Sequence, residues 1–166
     1  MGESASRQQD RTIDLMGIYV VRPEEGEQAS PGPVGIRIVE DGTHTGHRLG
    51  VVVSTLPPGP AQPPQHVHHE HDETFIVTAG RMRFTTGADN VDAEAGTVVV
   101  VPIGVPHTFS NPFEQPAAFI GLMTPDLYIQ YFRDVGQLPL DRYGVPGAAE
   151  VARVMARYAT EVVPPV

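Results

Sequence analysis

The chain has 166 residues and a hydrophobic content of 40%, which suits one globular domain with its own core. Its formal net charge of −9 disfavours nucleic-acid binding, because a negative field repels phosphate backbones. The sequence contains neither Cys nor Lys, which excludes thiolate chemistry and Schiff-base catalysis and leaves imidazole and carboxylate as the reactive donors. No apolar run approaches the roughly 20 residues of a membrane span, so we expect no membrane association.

The N-terminal segment 1–11 is polar, and we predict a disordered leader there rather than a signal peptide. We accordingly expect a cytoplasmic protein. From 12 to 123, runs of β-branched and aromatic residues are separated by Gly, Pro, Asp or Asn, which is typical of a β-meander or a β-barrel. The predicted strands are 12–21, 34–40, 48–56, 73–80, 81–86, 96–102 and 117–123.

The hydrophobic period changes to a helical one in the C-terminal region 124–166. A first helix is predicted with Thr124 as its N-cap, Pro125 in the first helical position and Gly136 at its end. A second helix is predicted over about 147–160. We expect both helices to pack on the barrel, either as a lid that forms part of a pocket or as packing that only stabilises the domain.

Four of the seven histidines lie in the segment QHVHHEHDE at 65–73. Alternate residues of a strand share a face, so His66 with His68, or His69 with His71, could converge on one ion. Imidazole and carboxylate donors suit divalent first-row metals. Further donors must come from neighbouring strands, and Glu73 and His107 are the candidates.

Two motifs in this region resemble those of the cupin family. The first is commonly written G(X)5HXH(X)3–4E(X)6G, and the second G(X)5PXG(X)2H(X)3N. The first is matched by His66, His68, Glu73 and Gly80, although Gly59 stands six residues before His66 instead of five. The second is matched in full by Gly96, Pro102, Gly104, His107 and Asn111.

The resemblance implies an all-β cupin double-stranded β-helix, a jelly-roll barrel, over 12–123, with two short C-terminal helices. It also implies one divalent transition metal (Fe, Mn, Ni or Co, with Zn as an alternative) on His66, His68, Glu73 and His107. In this arrangement His69 and His71 fall in a turn, where we expect them to be solvated. The alternative is that both histidines form hydrogen bonds to the metal-binding side chains, or that they act as a gate at the mouth of the site.

Strand alternation places Phe75 and Val77 on the face of Glu73, and Phe109 on the face of His107. With Tyr131 and Phe132 from the first helix, these side chains are candidates for an apolar substrate pocket. The alternative is that they only form the barrel core. Three arginines, Arg48, Arg81 and Arg83, could bind a carboxylate, but we expect them to be surface residues.

The C-terminal pattern after the barrel resembles small bacterial quercetin dioxygenase-like cupins. That resemblance implies a dioxygenase that uses O2 to open the ring of a flavonol or a related phenolic or enolisable aromatic, with Glu73 as both ligand and base. It also implies a homodimer. Two alternatives remain: a non-oxidative metal-dependent cupin, such as an aromatic polyketide cyclase or an isomerase, and a cupin that binds a small ligand without catalysis.

Overall fold

A computed structural model describes residues 13–15, 17–29, 33–59, 63–142 and 144–164. The predicted leader 1–11 lies outside the described residues. The strands are, in chain order, β1 (Ile13–Leu15), β2 (Ile18–Val20), β3 (Glu27–Gln28), β4 (Gly35–Asp41), β5 (Gly50–Leu56), β6 (His66–His68), β7 (Asp72–Ala79), β8 (Arg81–Thr86), β9 (Asp89–Glu94), β10 (Val98–Val101), β11 (Thr108–Ser110), β12 (Ala117–Thr124) and β13 (Thr160–Val162). The helices are α1 (Ile129–Gly136) and α2 (Ala148–Ala156).

The strands form a jelly-roll barrel of antiparallel sheets, as predicted. A six-stranded sheet has the order β10-β7-β12-β5-β4-β3, and a three-stranded sheet has the order β11-β8-β9. One core cluster contains Phe75, Val77 and Phe119 from the larger sheet together with Met82 and Phe84 from the smaller one. This core therefore lies between the two sheets. Strand β6 pairs instead with β13 in a separate two-stranded sheet.

The alternation of side chains along the strands explains this packing. In β12 every second residue is buried from Ala117 to Met123, and β7 alternates in the same way from Glu73 to Val77. The two strands are neighbours in the sheet, so their buried faces coincide. Gly80 connects β7 to β8 with a φ of +67°, and a Cβ atom there would lie 2.3 Å from the Pro116 carbonyl oxygen. This glycine of the first motif is therefore required by the backbone.

A second core cluster forms where the helices pack on the six-stranded sheet. It joins Ile36, Ile38 and Val52 of the sheet to Ile129 of α1 and Met155 of α2. Both helices are therefore anchored by apolar contact with the barrel. Within the described residues, neither helix is long and apolar enough to cross a membrane.

Helix α1 begins at Ile129, so the predictions of Thr124 as N-cap and Pro125 as the first helical residue are wrong. Thr124 is still in the β12 ladder, opposite Asp72, and the chain must leave the sheet before it can turn into a helix. The predicted end at Gly136 is confirmed. Helix α2 is shorter than predicted because Ala159 adopts a φ of +47° and Thr160 begins β13.

The observed strands also differ from the predicted ones. Within the predicted strand 12–21, the described residues form two paired strands, β1 and β2, because Gly17 adopts a φ of +90° between them. Strand β9 was not predicted, since in this largely polar segment only Ala93 is buried. An exposed edge strand of this kind lacks the alternating apolar pattern that marks a half-buried strand.

Candidate metal centre

Strand β6 carries two of the predicted donors on one face. His66 and His68 are both buried, and so is Val67 between them. His66 lies opposite His107, and each backbone N–H donates to the carbonyl oxygen of the other over 2.9 Å. This bridge brings the histidine of the second motif directly beside the first motif.

Glu73 completes the cluster from β7, the next strand along the chain. Its Oε2 atom lies 3.1 Å from Nε2 of His68 and 3.0 Å from Nε2 of His107. One potential ligand atom from each of His66, His68, Glu73 and His107 lies within 4.8 Å of all the others. All four side chains are buried. The structure thus brings together the four residues that the motifs selected, and the cluster could hold a single metal ion.

Each histidine of the cluster has a hydrogen-bond partner for its other ring nitrogen, Nδ1. For His66 the partner is the Pro64 carbonyl at 2.7 Å, and for His107 it is the Val105 carbonyl at 3.0 Å. A carbonyl oxygen can only accept, so Nδ1 donates in both rings and, in the neutral imidazole, Nε2 keeps its lone pair. Metal-binding histidines commonly donate their second nitrogen in this way.

The protonation states also suit a cation. Burial, reinforced by the neighbouring His107, lowers the pKa of His66 to about 3 from the usual 6.5, so this ring is neutral near pH 7. Burial opposes ionisation of Glu73, but its contacts with His107 and His68 outweigh that effect and hold its pKa well below the usual range. Neutral imidazole and ionised carboxylate are the forms that bind metals.

The prediction that His71 is a solvated turn residue is wrong. His71 is 0% exposed, and its ring lies 4.1 Å from the His68 ring and 4.9 Å from the Tyr128 ring, measured between centroids. Neither ring nitrogen has a hydrogen-bond partner, and burial lowers its pKa to about 4. Tyr128, from the segment before α1, covers this turn. His69 is exposed, as predicted, and lies 3.4 Å from Glu161.

Beside the four-residue cluster lies a cavity of about 440 Å³. Of the predicted pocket residues, Phe75, Phe109, Tyr131 and Phe132 line it. Val77 does not line the cavity and is 1% exposed within the barrel core, so the core alternative is correct for this residue. Val77 lies further along β7 from Glu73 than Phe75 does, and it is enclosed between the two sheets.

The C-terminal helices form one wall of this cavity. Helix α1 contributes Tyr131, Phe132 and Val135, and α2 contributes Val151 and Met155. Of the two alternatives for these helices, the structure therefore supports participation in a pocket. The same side chains also pack on the barrel, so the pocket wall and the stabilising contact are one feature.

Sequence analysis did not identify Tyr128 as a residue of this site. Its ring stacks on Tyr131 at 4.2 Å, contacts the edge of His68 at 4.6 Å and lines the cavity. Burial raises the pKa of its hydroxyl well above the usual 10. A tyrosine in the apolar stripe of a predicted helix indicates core packing. Nothing in the sequence therefore marks Tyr128 as a residue of the site.

Comparison with known proteins agrees with the motifs. Residues 52–123 match the family described as the cupin domain. This stretch is a cupin domain. It includes His66, His68, Glu73 and His107, and it ends immediately before the segment that leads into α1. The helices and β13 therefore lie outside the matched region.

Two curated relatives share part of the chain. Over 118 residues, 71% of this chain, the sequence is 28% identical to quercetin 2,3-dioxygenase of Bacillus subtilis (strain 168), and the match covers 34% of that protein. A stretch of 58 residues, 35% of this chain, is 33% identical to an uncharacterized protein of Streptomyces coelicolor and covers 55% of it. The chain thus spans about a third to about half the length of these relatives.

Solved structures support the barrel. A predicted oxalate decarboxylase from Thermotoga maritima aligns with a TM-score of 0.57 at 21% identity, covering 64% of this chain and 98% of that one. A sugar phosphate isomerase of the cupin superfamily from Silicibacter pomeroyi aligns with a TM-score of 0.50 at 28% identity, covering 58% and 61%. These two proteins share the fold, but one is described as a decarboxylase and the other as an isomerase.

Proposed function

We propose that this protein is a metal-dependent dioxygenase that opens the ring of a flavonol or of a related phenolic or enolisable aromatic substrate, with O2 as co-substrate. The observation that carries the proposal is the apolar cavity that adjoins the buried three-histidine, one-glutamate cluster. Resemblance to a quercetin 2,3-dioxygenase supports the same activity.

The residues present fit a divalent transition metal. One ring nitrogen from each of three histidines and one carboxylate oxygen lie within 4.8 Å of one another. Nε2 of His68 is buried and lies 3.1 Å from Oε2 of Glu73 without the geometry of a hydrogen bond. A buried cluster of acceptor atoms is costly unless a cation or protons lie between them. Neutral imidazoles with one carboxylate suit Fe, Mn, Co, Ni or Zn. We infer that His66, His68, Glu73 and His107 hold one such ion.

The cavity walls favour an uncharged aromatic substrate. Phe75, Phe109 and Phe119 line one part, and Tyr131 and Phe132 line another. Among the residues that the structure describes, no arginine lines the cavity, so a buried phosphate or carboxylate group would have no cationic side chain as a partner. A volume of about 440 Å³ lies within the range of sites for drug-sized ligands.

The three arginines considered from the sequence lie elsewhere. Arg81 and Arg83 bind Asp92 on the surface, with distances of 3.1 Å and 2.7 Å, and Arg48 is exposed. This arrangement disfavours a substrate that must be held by guanidinium groups, such as a sugar phosphate. It leaves the metal and the apolar walls as the elements of recognition.

In the proposed reaction, the aromatic walls orient the substrate ring and exclude water, while Glu73 receives the proton of the substrate hydroxyl at Oε2. The low pKa of Glu73 keeps this group ionised before the substrate arrives. The metal, when bound, supplies Lewis acidity for the substrate oxygen and access to O2 chemistry.

The non-oxidative alternative also has an observation in its favour. The same donor set can hold a Lewis acid that needs no redox chemistry, so a cyclase or an isomerase could use this cluster. The apolar walls fit an aromatic polyketide as well as a flavonol. A binding protein without catalysis would use the same cavity.

One experiment separates these functions. The metal-free protein is reloaded with Fe, Mn, Ni, Co or Zn, and O2 uptake is measured with flavonols and polyketide phenols, with His107→Ala as the control. We expect substrate loss matched by O2 uptake in at least one metal form and none in the control. Turnover that persists without O2 would refute the dioxygenase and favour the cyclase or isomerase. A ligand recovered unchanged after long incubation would favour a binding protein.

A further inference from the structure

The C-terminal strand β13 borders the candidate metal centre, although it lies outside the cupin domain at 52–123. It pairs antiparallel with β6, and Thr160 stands opposite His68 in the register. Two further bonds extend the pairing: the His69 N–H donates to Ala159 O, and the Val163 N–H donates to Gln65 O, both over 2.9 Å. The strand that carries two of the four donors is therefore held along one edge by the end of the chain.

The side chain of Thr160 also contacts the centre. It is 3% exposed, and Oγ1 lies 2.8 Å from Nδ1 of His68. The same hydroxyl donates its hydrogen to the Tyr158 carbonyl over 3.0 Å. A hydroxyl has one hydrogen and a carbonyl can only accept, so Oγ1 must accept the hydrogen of Nδ1. In the neutral imidazole this leaves the lone pair on Nε2, the atom that faces Glu73.

His68 differs from the other two histidines in the origin of this support. His66 and His107 each donate to a backbone carbonyl two residues away in their own segments. His68 instead depends on a side chain 92 residues further along the chain. A single substitution can therefore remove the partner of His68 and leave the other two unaffected.

Packing restricts the His68 ring in addition to the hydrogen bond. The His71 ring lies 4.1 Å from the His68 ring and the Tyr128 ring lies 4.6 Å from it. These contacts keep the ring in place but do not determine which nitrogen carries the hydrogen. The position of the hydrogen is set by the polar contacts of the two ring nitrogens, and the contact at Nδ1 is made by Thr160.

We propose that Thr160 is a positioning residue for His68: its hydroxyl fixes the Nδ1–H form and the orientation of the ring, and it thereby makes the C-terminal strand a determinant of metal affinity. This inference rests on the metal-binding part of the proposed function. It does not depend on the substrate or on the use of O2.

The test compares Thr160→Val, which keeps the shape and removes the hydroxyl, with Thr160→Ser, which keeps the hydroxyl. Affinity for Co²⁺ and the visible absorption of the Co²⁺ complex are measured on the full chain. Removing a partner of a metal-binding histidine typically costs roughly 10–100-fold in affinity, and we expect that loss for Val with an altered spectrum. We expect Ser to restore affinity to within about threefold.

The control is Thr108→Val. Thr108 is also buried, and its hydroxyl donates to the Pro63 carbonyl over 2.6 Å and not to a ring nitrogen of the centre. We expect this variant to keep wild-type Co²⁺ affinity. Equal affinity and equal spectra for Thr160→Val and the wild type would overturn the inference alone. A wild-type chain that binds no Co²⁺ would overturn the metal centre and this inference together.

A second measurement needs no substitution and so is independent of whether Thr160→Val folds. Nitrogen-15 NMR of the histidine rings in the metal-free wild type at pH 7.5 reports which ring nitrogen carries the hydrogen. We expect His68 in the Nδ1–H form. The Nε2–H form would contradict the role of Thr160.

Discussion

Burial of two uncharged histidines should make the metal-free protein sensitive to acid. The pKa of His66 is lowered to about 3 and that of His71 to about 4, against a usual value of 6.5 in the unfolded chain. Between these values the unfolded state binds protons that the folded state does not, so the free energy of unfolding falls as the pH falls. The penalty begins near pH 6.5 and levels off once each folded-state pKa is reached.

The magnitude follows from the shifts. Each pKa unit corresponds to about 1.4 kcal/mol, so at pH 5 each histidine should cost about 2 kcal/mol, and the pair about 4 kcal/mol relative to pH 7.5. This is a large share of the stability of a typical domain, about 5–15 kcal/mol. We expect His71→Leu to reduce the loss between pH 7.5 and pH 5 by about 2 kcal/mol.

The assay is urea denaturation in the presence of a chelator, followed by circular dichroism at pH 7.5 and pH 5. At pH 7.5 neither His66 nor His71 is protonated in either state, so the effect of His71→Leu there reports packing alone. The change in the effect of His71→Leu between pH 7.5 and pH 5 then reports the free-energy cost of keeping His71 unprotonated in the folded state. An identical loss in the wild type and in His71→Leu would refute the argument that His71 is buried and neutral.

Three further predictions concern the site itself. Replacing Glu73 with Gln keeps the size and removes the charge, so turnover should fall by roughly 10²–10⁴-fold while metal content falls less. If turnover and metal content fell by the same factor, Glu73 would be a metal ligand and not a base. His107→Ala should abolish stoichiometric metal in elemental analysis and keep the barrel's circular dichroism, since the core is apolar; retained metal would contradict the assignment. Val151→Phe, on the α2 wall, should weaken flavonol binding by roughly tenfold or more with metal content unchanged; equal affinity would place the substrate elsewhere.

Much of the candidate site could be predicted because its residues lie in short segments of regular geometry. The spacing of His66 and His68 is the period of a strand, and Glu73 follows after a turn of a few residues. His107 could be identified as a candidate donor only through the second motif, since no local pattern relates it to β6. The apolar alternation around Phe75 and Phe119 predicted a β-barrel, and the structure has one. The beginning of α1 was misplaced because Thr124 satisfies the rules for an N-cap and for a strand end equally well.

The sequence by itself determined the β-rich architecture, because alternating burial leaves a period of two within single strands. It also indicated the candidate donor set, because the two motifs that resemble those of the cupin family contain His66, His68, Glu73 and His107. Only the tertiary structure decided that His71 is buried, that α1 and α2 wall the cavity, and that Thr160 supports His68. Each of these depends on which distant segment covers a residue, and contacts between distant segments leave no period in the sequence. A histidine in a turn is solvated or buried according to whether a side chain such as Tyr128 lies over it, and that is settled when the C-terminal segment packs on the barrel.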